Sequence, residues 1–403
     1  MAELMVLTAG STGDVEPFAA LAARLASRGH AVTFATDARF SKLAPGNDGV
    51  EFAPIRADFR SLLPTPDRKK PSLRQDVFPV IRGMLEDSWT VAKAHPPDAI
   101  VAHQKTLAAP HVAEKLGIPH VQALTVPMLT PTRAFPLPGM VNRDLGGALN
   151  RASYRLLGLL TRPYAGLIRD WRDEHLSLAP QGSPPRPAKT LYCYSPNVVP
   201  TPRDWPPNAV ATGYWLSEDG DGPIDPELEA FVAAGEPPVY VGFGSSVGPD
   251  PIQLSSSVDQ ALRATGARAV IATGWGGLAG QAWNDDTIVV EQASHRWLFP
   301  RVGAVVHHGG AGTTAAGLRA GRPSIVCPFQ GDQFFWGKAV RQVGAGPQPL
   351  PAKKLTAERL SDAVRTALED PAMRGRATEL SERIAREVGT ERASEEIEAS
   401  LPA

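Results

Sequence analysis

The chain is poor in cysteine: Cys193 and Cys327 are its two thiols in 403 residues. They sit in separate apolar runs, so they offer neither a disulfide framework nor the paired spacing of a zinc site, and are expected as buried free thiols. Net charge is also missing. Lys and Arg number 41 against 42 Asp and Glu, a balance of −1, which removes the electrostatic case for a nucleic-acid partner. No run of about 18 apolar residues occurs, so no spanning helix is expected. The first nine residues lack the basic start of a secretory signal. These absences predict a cytoplasmic protein with at most peripheral membrane contact. No short internal repeat is found. At 43% hydrophobic and 21% charged, the chain can build ordinary cores, and its length suggests two or three domains.

What is present is alternation. Apolar runs at 4–9, 31–36, 50–55, 98–103, 120–124 and 191–195 read as strands, with helices at 15–28, 75–94 and 106–116. The pattern restarts at 239–244, 267–273, 287–291 and 304–306, again with helices between. Repeated strand–helix–strand order predicts a parallel, doubly wound sheet, here twice over. Residues 127–139 carry four prolines among apolar residues and read as an irregular segment lining or covering a pocket; 142–176 reads as long and helical, packed on the core. Five prolines fall within 196–207, and 217–226 is acidic and glycine-rich, so the chain is expected to cross between domains here. Asp219-Gly220-Asp221 has the spacing of a metal-binding D-x-D, but no strand stands behind it, and it reads as solvated linker.

The stretch 304–333, AVVHHGGAGTTAAGLRAGRPSIVCPFQGDQ, concentrates the chemistry. A short β-branched strand runs into His307, His308, Gly309, Gly310, Ala311 and Gly312, then into a helix opening with Thr313 and Thr314. Glycines admit a ligand close to the backbone, and a helix start offers unpaired N–H groups and a partial positive charge. His308 adds a ring donor suited to a diphosphate, while His307 reads equally well as structural. Asp332 and Gln333 follow the next strand, where open α/β sheets bind ligands; a carboxylate and an amide there suit sugar hydroxyls. Ser245 ends a strand, Trp275 sits in a glycine turn, and Ser294, His295, Trp297 and Leu298 follow another strand. For both tryptophans, core packing competes with framing a base.

In the first half, Gly10, Ser11, Thr12, Gly13 and Asp14 follow the opening strand. The turn lacks the third glycine of a dinucleotide fingerprint, which argues against nicotinamide. Asp14 reads either as a general base at the crevice or as the N-cap of the next helix. His103, ending a parallel strand, is a second candidate, as partner or alternative base. His30, His95, His111, His120 and His175 read as structural or exposed.

HHGGAGTTAAGLRAGRPSIVCPFQGDQFFWG, residues 307–337, resembles the donor-binding segment of family 1 glycosyltransferases with the GT-B fold, most of all the bacterial natural-product and sterol-type glucosyltransferases. GSTGDVEP, residues 10–17, resembles their acceptor-side loop. The resemblance implies an α/β protein of two Rossmann-like domains facing across a cleft: 1–205 for the acceptor, 206–385 for the nucleotide sugar, and a helix in 386–403 packing back on the first domain. It implies inverting transfer of a hexose from UDP-glucose or a dTDP-sugar to a hydroxyl of a lipophilic small molecule, without metal or covalently bound cofactor. By that resemblance Asp14 is the base, in an acceptor-side loop with Ser11, Thr12 and Gly13. Ser245, His308, Gly310, Gly312 and Thr313 grip the diphosphate, Trp275 and 294–298 frame the base, and Asp332 and Gln333 hold the sugar. Plant members carry an acid for the ribose where this chain has Ala315-Ala316-Gly317. A transferase for a lipid-linked cell-envelope acceptor, or a non-catalytic nucleotide-sugar binder, shares the fold.

Overall fold

The computed structural model describes residues 1–46, 49–62, 71–179, 185–217, 224–244, 250–274, 278 and 283–402. Ser245, Trp275 and the Asp219-Gly220-Asp221 stretch lie outside the described residues.

The first sheet holds β1 (Glu3–Leu7), β2 (Ala31–Asp37), β3 (Val50–Ile55), β4 (Ala99–His103), β5 (His120–Leu124), β6 (Lys189–Tyr192) and β7 (Ala209–Ala211), in the order β3-β2-β1-β4-β5-β6-β7. The second holds β8 (Val239–Gly242), β9 (Ala269–Ala272), β10 (Thr287–Val290), β11 (Ala304–His307) and β12 (Ser324–Val326), in the order β10-β9-β8-β11-β12. Every pairing is parallel. The reason is visible in the strands: β4 is buried at all five positions and β8 at all four, as strands covered by helices on both faces must be.

The covering helices are α1 (Thr12–Ser27), α2 (Phe78–Ala94), α3 (Ala109–Leu116), α4 (Gly147–Ser153), α5 (Leu157–Thr161), α6 (Ala165–Trp171), α7 (Pro226–Ala233), α8 (Pro251–Thr265), α9 (His295–Leu298), α10 (Ala311–Arg319), α11 (Gln333–Gln342), α12 (Ala357–Glu369), α13 (Pro371–Ala385) and α14 (Gly389–Glu398). Val15, Phe18, Leu21, Ala22 and Leu25 give α1 one apolar stripe, and all are buried against β1, β2 and β4 residues such as Leu4, Phe34 and Val101. Met5, Leu7 and Ile100 point to the other face, against Met84, Val112 and Trp171. A further apolar cluster joins the two halves: Leu124, Tyr192 and Tyr194 of the first pack with Leu318, Trp336, Val340 and Ile384 of the second. Cys193 and Cys327 are both buried and free.

Three boundaries differ from expectation. The α1 helix begins at Thr12, before residue 15, because Ser11 rather than Asp14 is its N-cap; Pro17 therefore lies inside the helix and has no N–H to give to the Gly13 carbonyl. The first sheet runs beyond residue 205 to β7, whose register pairs Thr190 with Ala209; a three-residue strand behind prolines shows no alternation to read. The helical run expected from 142 starts at Gly147, behind Gly146 at φ 82, and is broken into α4, α5 and α6 by tighter turns at Tyr154–Leu156 and Arg162–Tyr164, with a wider turn at Arg172–Leu176 after α6. At the far end, α14 crosses back to the first half, where Ala393 and Ile397 are fully buried beside α1 and Glu398 accepts from Arg28 Nε at 2.7 Å and Nη2 at 2.6 Å.

Candidate functional site

Each sheet reverses its winding once, between β1 and β4 and between β8 and β11. At such a switch the loops leaving the two strands part and open a crevice at the carboxyl ends. Both crevices are occupied by the residues singled out above.

In the first, Asp14 is the third residue of α1, and its side chain folds back on the turn. Its Oδ2 accepts from the Ser11 N–H at 2.8 Å, from Ser11 Oγ at 2.8 Å and from Lys105 Nζ at 2.7 Å. The first contact is the reaching-back half of a capping box. Thus Asp14 meets the crevice and serves the helix start at once, from N3 and not from the N-cap. Gly10 makes this possible: at φ 135, a Cβ there would stand 2.4 Å from Asp14 Oδ2. His103, at the end of β4, is fully buried with its ring edge on Phe18 and its Nε2 3.6 Å from Asp14 Oδ1. Burial alone would raise the Asp14 carboxyl, but Lys105 and then His103 overcome it and hold the group at about 2. Burial pushes His103 down to about 4 in spite of the carboxylate beside it. Lys105 was not among the sequence candidates; it lies 91 residues from Asp14, and its placement two residues beyond a strand end was the available signal.

In the second crevice, α10 opens on Gly310 with no side-chain cap and no acid in its first turn. Ala311, Gly312 and Thr313 are partly exposed there, and Thr314 turns inward to donate to the Gly310 carbonyl at 2.8 Å. The His308 ring lies across the mouth of this turn: a Cβ on Gly310 would come 2.4 Å from its Nε2, and one on Gly244, two residues past β8, 3.2 Å from its Cε1. A side chain at Gly310 would displace the ring. His308 is half-buried, its Nδ1 has no partner among the described residues, and burial, with His295 adding to it, pushes it down to about 4. His307 is wholly buried and accepts the Gly309 N–H on Nδ1 at 3.1 Å, so it braces the glycine turn.

The crevices face each other at close range. A Cβ on Gly13 would stand 3.9 Å from the Gly312 nitrogen, and one on Gly312 3.5 Å from Gly13 Cα. Ser11 and Thr12 are exposed beside that contact. Asp332, before α11, lies near enough to Asp14 for the two carboxylates to interact; burial, with Asp14 adding to it, raises Asp332 above its ordinary value. Gly139 closes one end, where a Cβ would approach the Asp332 N–H nitrogen to 3.2 Å, and Phe135 meets Phe335 edge-to-face at 5.3 Å.

The other candidates also carry structural contacts. Gln333 is buried, with its Oε1 accepting from the Phe329 N–H at 2.7 Å and the Gln330 N–H at 3.1 Å. Ser294 caps α9 by accepting the Trp297 N–H at 3.3 Å. His295 stacks on Phe299 at 4.3 Å and meets the Tyr240 hydroxyl at 3.3 Å. Trp297 packs at the edge of a core cluster beneath Arg301, and Leu298 is fully buried in that cluster. The Leu298 side chain therefore presents no exposed surface. Among the described residues, no group of three or more His, Cys, Asp or Glu is placed to hold a metal ion.

Comparison with known proteins agrees with this geometry. Residues 4–136 match the glycosyltransferase family 28 N-terminal domain, and 284–399 the erythromycin biosynthesis protein CIII-like C-terminal domain. Sterol 3-beta-glucosyltransferase UGT80B1 of Arabidopsis thaliana is 36% identical across 99% of this chain and 68% of its own length. UDP-sugar-dependent glycosyltransferase 52 of Dictyostelium discoideum is 32% identical across 99% of this chain, which spans 26% of that longer protein. Among solved structures, the glycotransferase of kitacinnamycin superposes with a TM-score of 0.75 at 21% identity, covering 100% of this chain and 99% of its own. Streptomyces sp. SF2575 SsfS6, solved with thymidine diphosphate, reaches 0.63 at 18% identity, covering 99% and 100%. With two parallel α/β sheets facing across a cleft and relatives of this kind along its whole length, the chain belongs to the family 1 glycosyltransferases of the GT-B fold.

Proposed function

We propose that this chain transfers a hexose from UDP-glucose or a dTDP-sugar to a hydroxyl of a lipophilic small molecule, with inversion and without a metal ion. The observation that carries the reading is the approach of Gly13 to Gly312, which sets a partly buried carboxylate opposite an uncapped helix start. The acceptor hydroxyl attacks the anomeric carbon from the Asp14 side as the bond to the diphosphate breaks on the other. The diphosphate takes the N–H groups of Gly312 and Thr313, the Thr313 hydroxyl and a neutral His308 N–H. These fixed dipoles stabilise the leaving charge in the place a cation would otherwise serve. Asp14, ionised across the neutral range, receives the proton late, when the new C–O bond has made the hydroxyl acidic. His103 sits behind it as a positioning residue. Asp332 holds sugar hydroxyls from the facing lip, while Gln333 shapes the loop that presents it. Ser245 and Trp275 keep their proposed places at the phosphate and base. The acceptor lies along the apolar 127–139 segment, between residues such as Met128 and Phe135. We assign 1–211 to the acceptor half, extending the sequence-based limit of 205 to include β7, with 212–385 as the donor half.

The test is incubation with UDP-glucose and dTDP-glucose over a panel of hydroxylated lipophiles, with and without EDTA, reading product and anomeric configuration. A β-glycoside from an α-linked donor, formed equally in chelator, is expected. A retained configuration, or loss of turnover in EDTA restored by a divalent ion, overturns the mechanism. Nucleotide binding with no product on any acceptor would favour the non-catalytic binder.

A further inference from the structure

The helical run α4–α5, on into Pro163, has two unlike faces. Its inner face is fully engaged: Ser153 Oγ accepts the Leu137 N–H at 2.8 Å, Tyr154 is buried, and Asn150 Nδ2 donates to the Arg133 carbonyl at 3.1 Å. This ties the run to the 127–139 segment and so to the cleft. Its outer face is apolar. Leu149, Leu159 and Leu160 are 61%, 58% and 44% exposed, and with Ala152, Leu156 and Pro163 they recur at i, i+3, i+7, i+10, i+11 and i+14, one stripe of a helix. These leucines do not face outward for want of core volume elsewhere, since the run already has a buried side of its own.

The charge beside the stripe has one sign. From 145 to 169 there are four arginines, 151, 155, 162 and 169, and no Asp or Glu, in a chain whose overall balance is −1. Arg151 pairs with Asp204 at 3.2 Å and Arg169 with the neighbouring Asp170 at 3.4 Å. Arg155 and Arg162 are exposed and make no ion pair among the described residues. An exposed leucine stripe edged by arginines is suited to the boundary of an anionic bilayer, where acyl chains take the leucines and headgroups take the guanidinium groups. A protein partner of no stated charge would explain the leucines but not the one-sided arginines.

We propose that the outer face of residues 147–163 docks this chain on an anionic lipid surface. Docked so, the inner face of the same run holds the acceptor-side wall toward the bilayer, so that a lipophilic acceptor passes from membrane to cleft with little aqueous transit. That consequence rests on the function proposed above; the docking itself does not.

Co-sedimentation of the full chain with vesicles of phosphatidylcholine, alone or mixed with phosphatidylglycerol, tests it. The chain is expected to partition onto the mixed vesicles at least tenfold better than onto phosphatidylcholine, and to be released by salt. The double variants Leu159→Glu/Leu160→Glu and Arg155→Glu/Arg162→Glu are expected to lose tenfold or more of that partition with unchanged melting temperature. Turnover of a water-soluble acceptor should stay as in the parent chain. Equal binding to both vesicle types, or binding undiminished in both variants, overturns the proposal. So does a soluble dimer of the parent chain that Leu159→Glu/Leu160→Glu dissociates, since the second copy would then be the occupant. Lipid-dependent partition without turnover on any acceptor would remove the transferase reading and uphold the docking.

Discussion

The two switch points are topological equals, a strand, a turn and a helix start at each, and they treat the helix start in opposite ways. At α1 the chain supplies its own anion: Asp14 returns to the Ser11 N–H, and Lys105 neutralises it. At α10 the chain supplies none: glycine caps the helix and no acid stands in the first turn. A helix start carries a partial positive charge and unpaired donors whichever half it lies in. Filling that charge from within orients a carboxylate toward the cleft. Leaving it unfilled prepares a seat for a ligand's anion. One architectural unit, used twice, thereby presents a paired carboxylate on one side and unfilled helix-start donors on the other.

The contrast can be broken from either side. Removing the internal anion with Asp14→Asn should have the largest effect, lowering kcat by about 10²–10⁴-fold, the range of a lost general base. The rise in melting temperature given by a nucleoside diphosphate should be unchanged. Near-parental turnover would take the base role from Asp14. Making α10 resemble α1 comes next. Gly312→Asp adds a carboxylate to the first turn where the nearest neighbour of a Cβ, Gly13 Cα, is at 3.5 Å, so the fold should tolerate it. Helix electrostatics favour the change by roughly 0.3–1 kcal/mol, yet UDP affinity measured by calorimetry should fall by at least about tenfold as like charges compete. Unchanged affinity would place the diphosphate elsewhere.

A subtler probe alters the neutralising charge. Lys105 helps hold Asp14 at about 2 against burial. The stabilisation from that depressed carboxyl is complete above its ordinary value near 3.8 and is lost as pH falls through about 2. Lys105→Met leaves burial less opposed, so the acid limb of the kcat/KM profile should move upward by roughly one to three pH units. A limb that stays in place would mean that Asp14 does not govern it. The smallest effect is expected far from the cleft. Glu398→Gln weakens the contacts of α14 with Arg28 and His30, and should lower the melting temperature by only ~1–2 °C, with kcat unchanged.

Much of the second crevice was legible because its residues are close together in the chain. His307 to Thr314 form one uninterrupted strand–turn–helix, and two of its glycines have steric reasons, a positive φ at Gly309 and the His308 ring beside Gly310. The first crevice was half legible. Asp14 was visible in its turn, but it serves the helix start from N3 and not from the N-cap, because Ser11 caps the helix. What the sequence left unread arises from contact between distant segments or from patterns too short to carry a period. Lys105 joins Asp14 only because β1 and β4 are neighbours. Trp297 and Leu298 look like ligand contacts in a motif, yet Leu298 fills a core with Val270 and Phe299. Gln333 looked like a sugar ligand and has its amide oxygen committed to two loop N–H groups.

By itself the sequence determined the alternation of strands and helices, the two-half plan, the glycine turn before the helix at 313 and the carboxylate at 14, since each depends on neighbours within a few residues. Tertiary structure decided that these two lie across one gap, that a lysine holds the carboxylate charged, that the final helix belongs to the first half, and that one leucine stripe faces outward. Strand order, burial and charge pairing depend on which distant segments meet, and neither period nor propensity along a single chain encodes that directly.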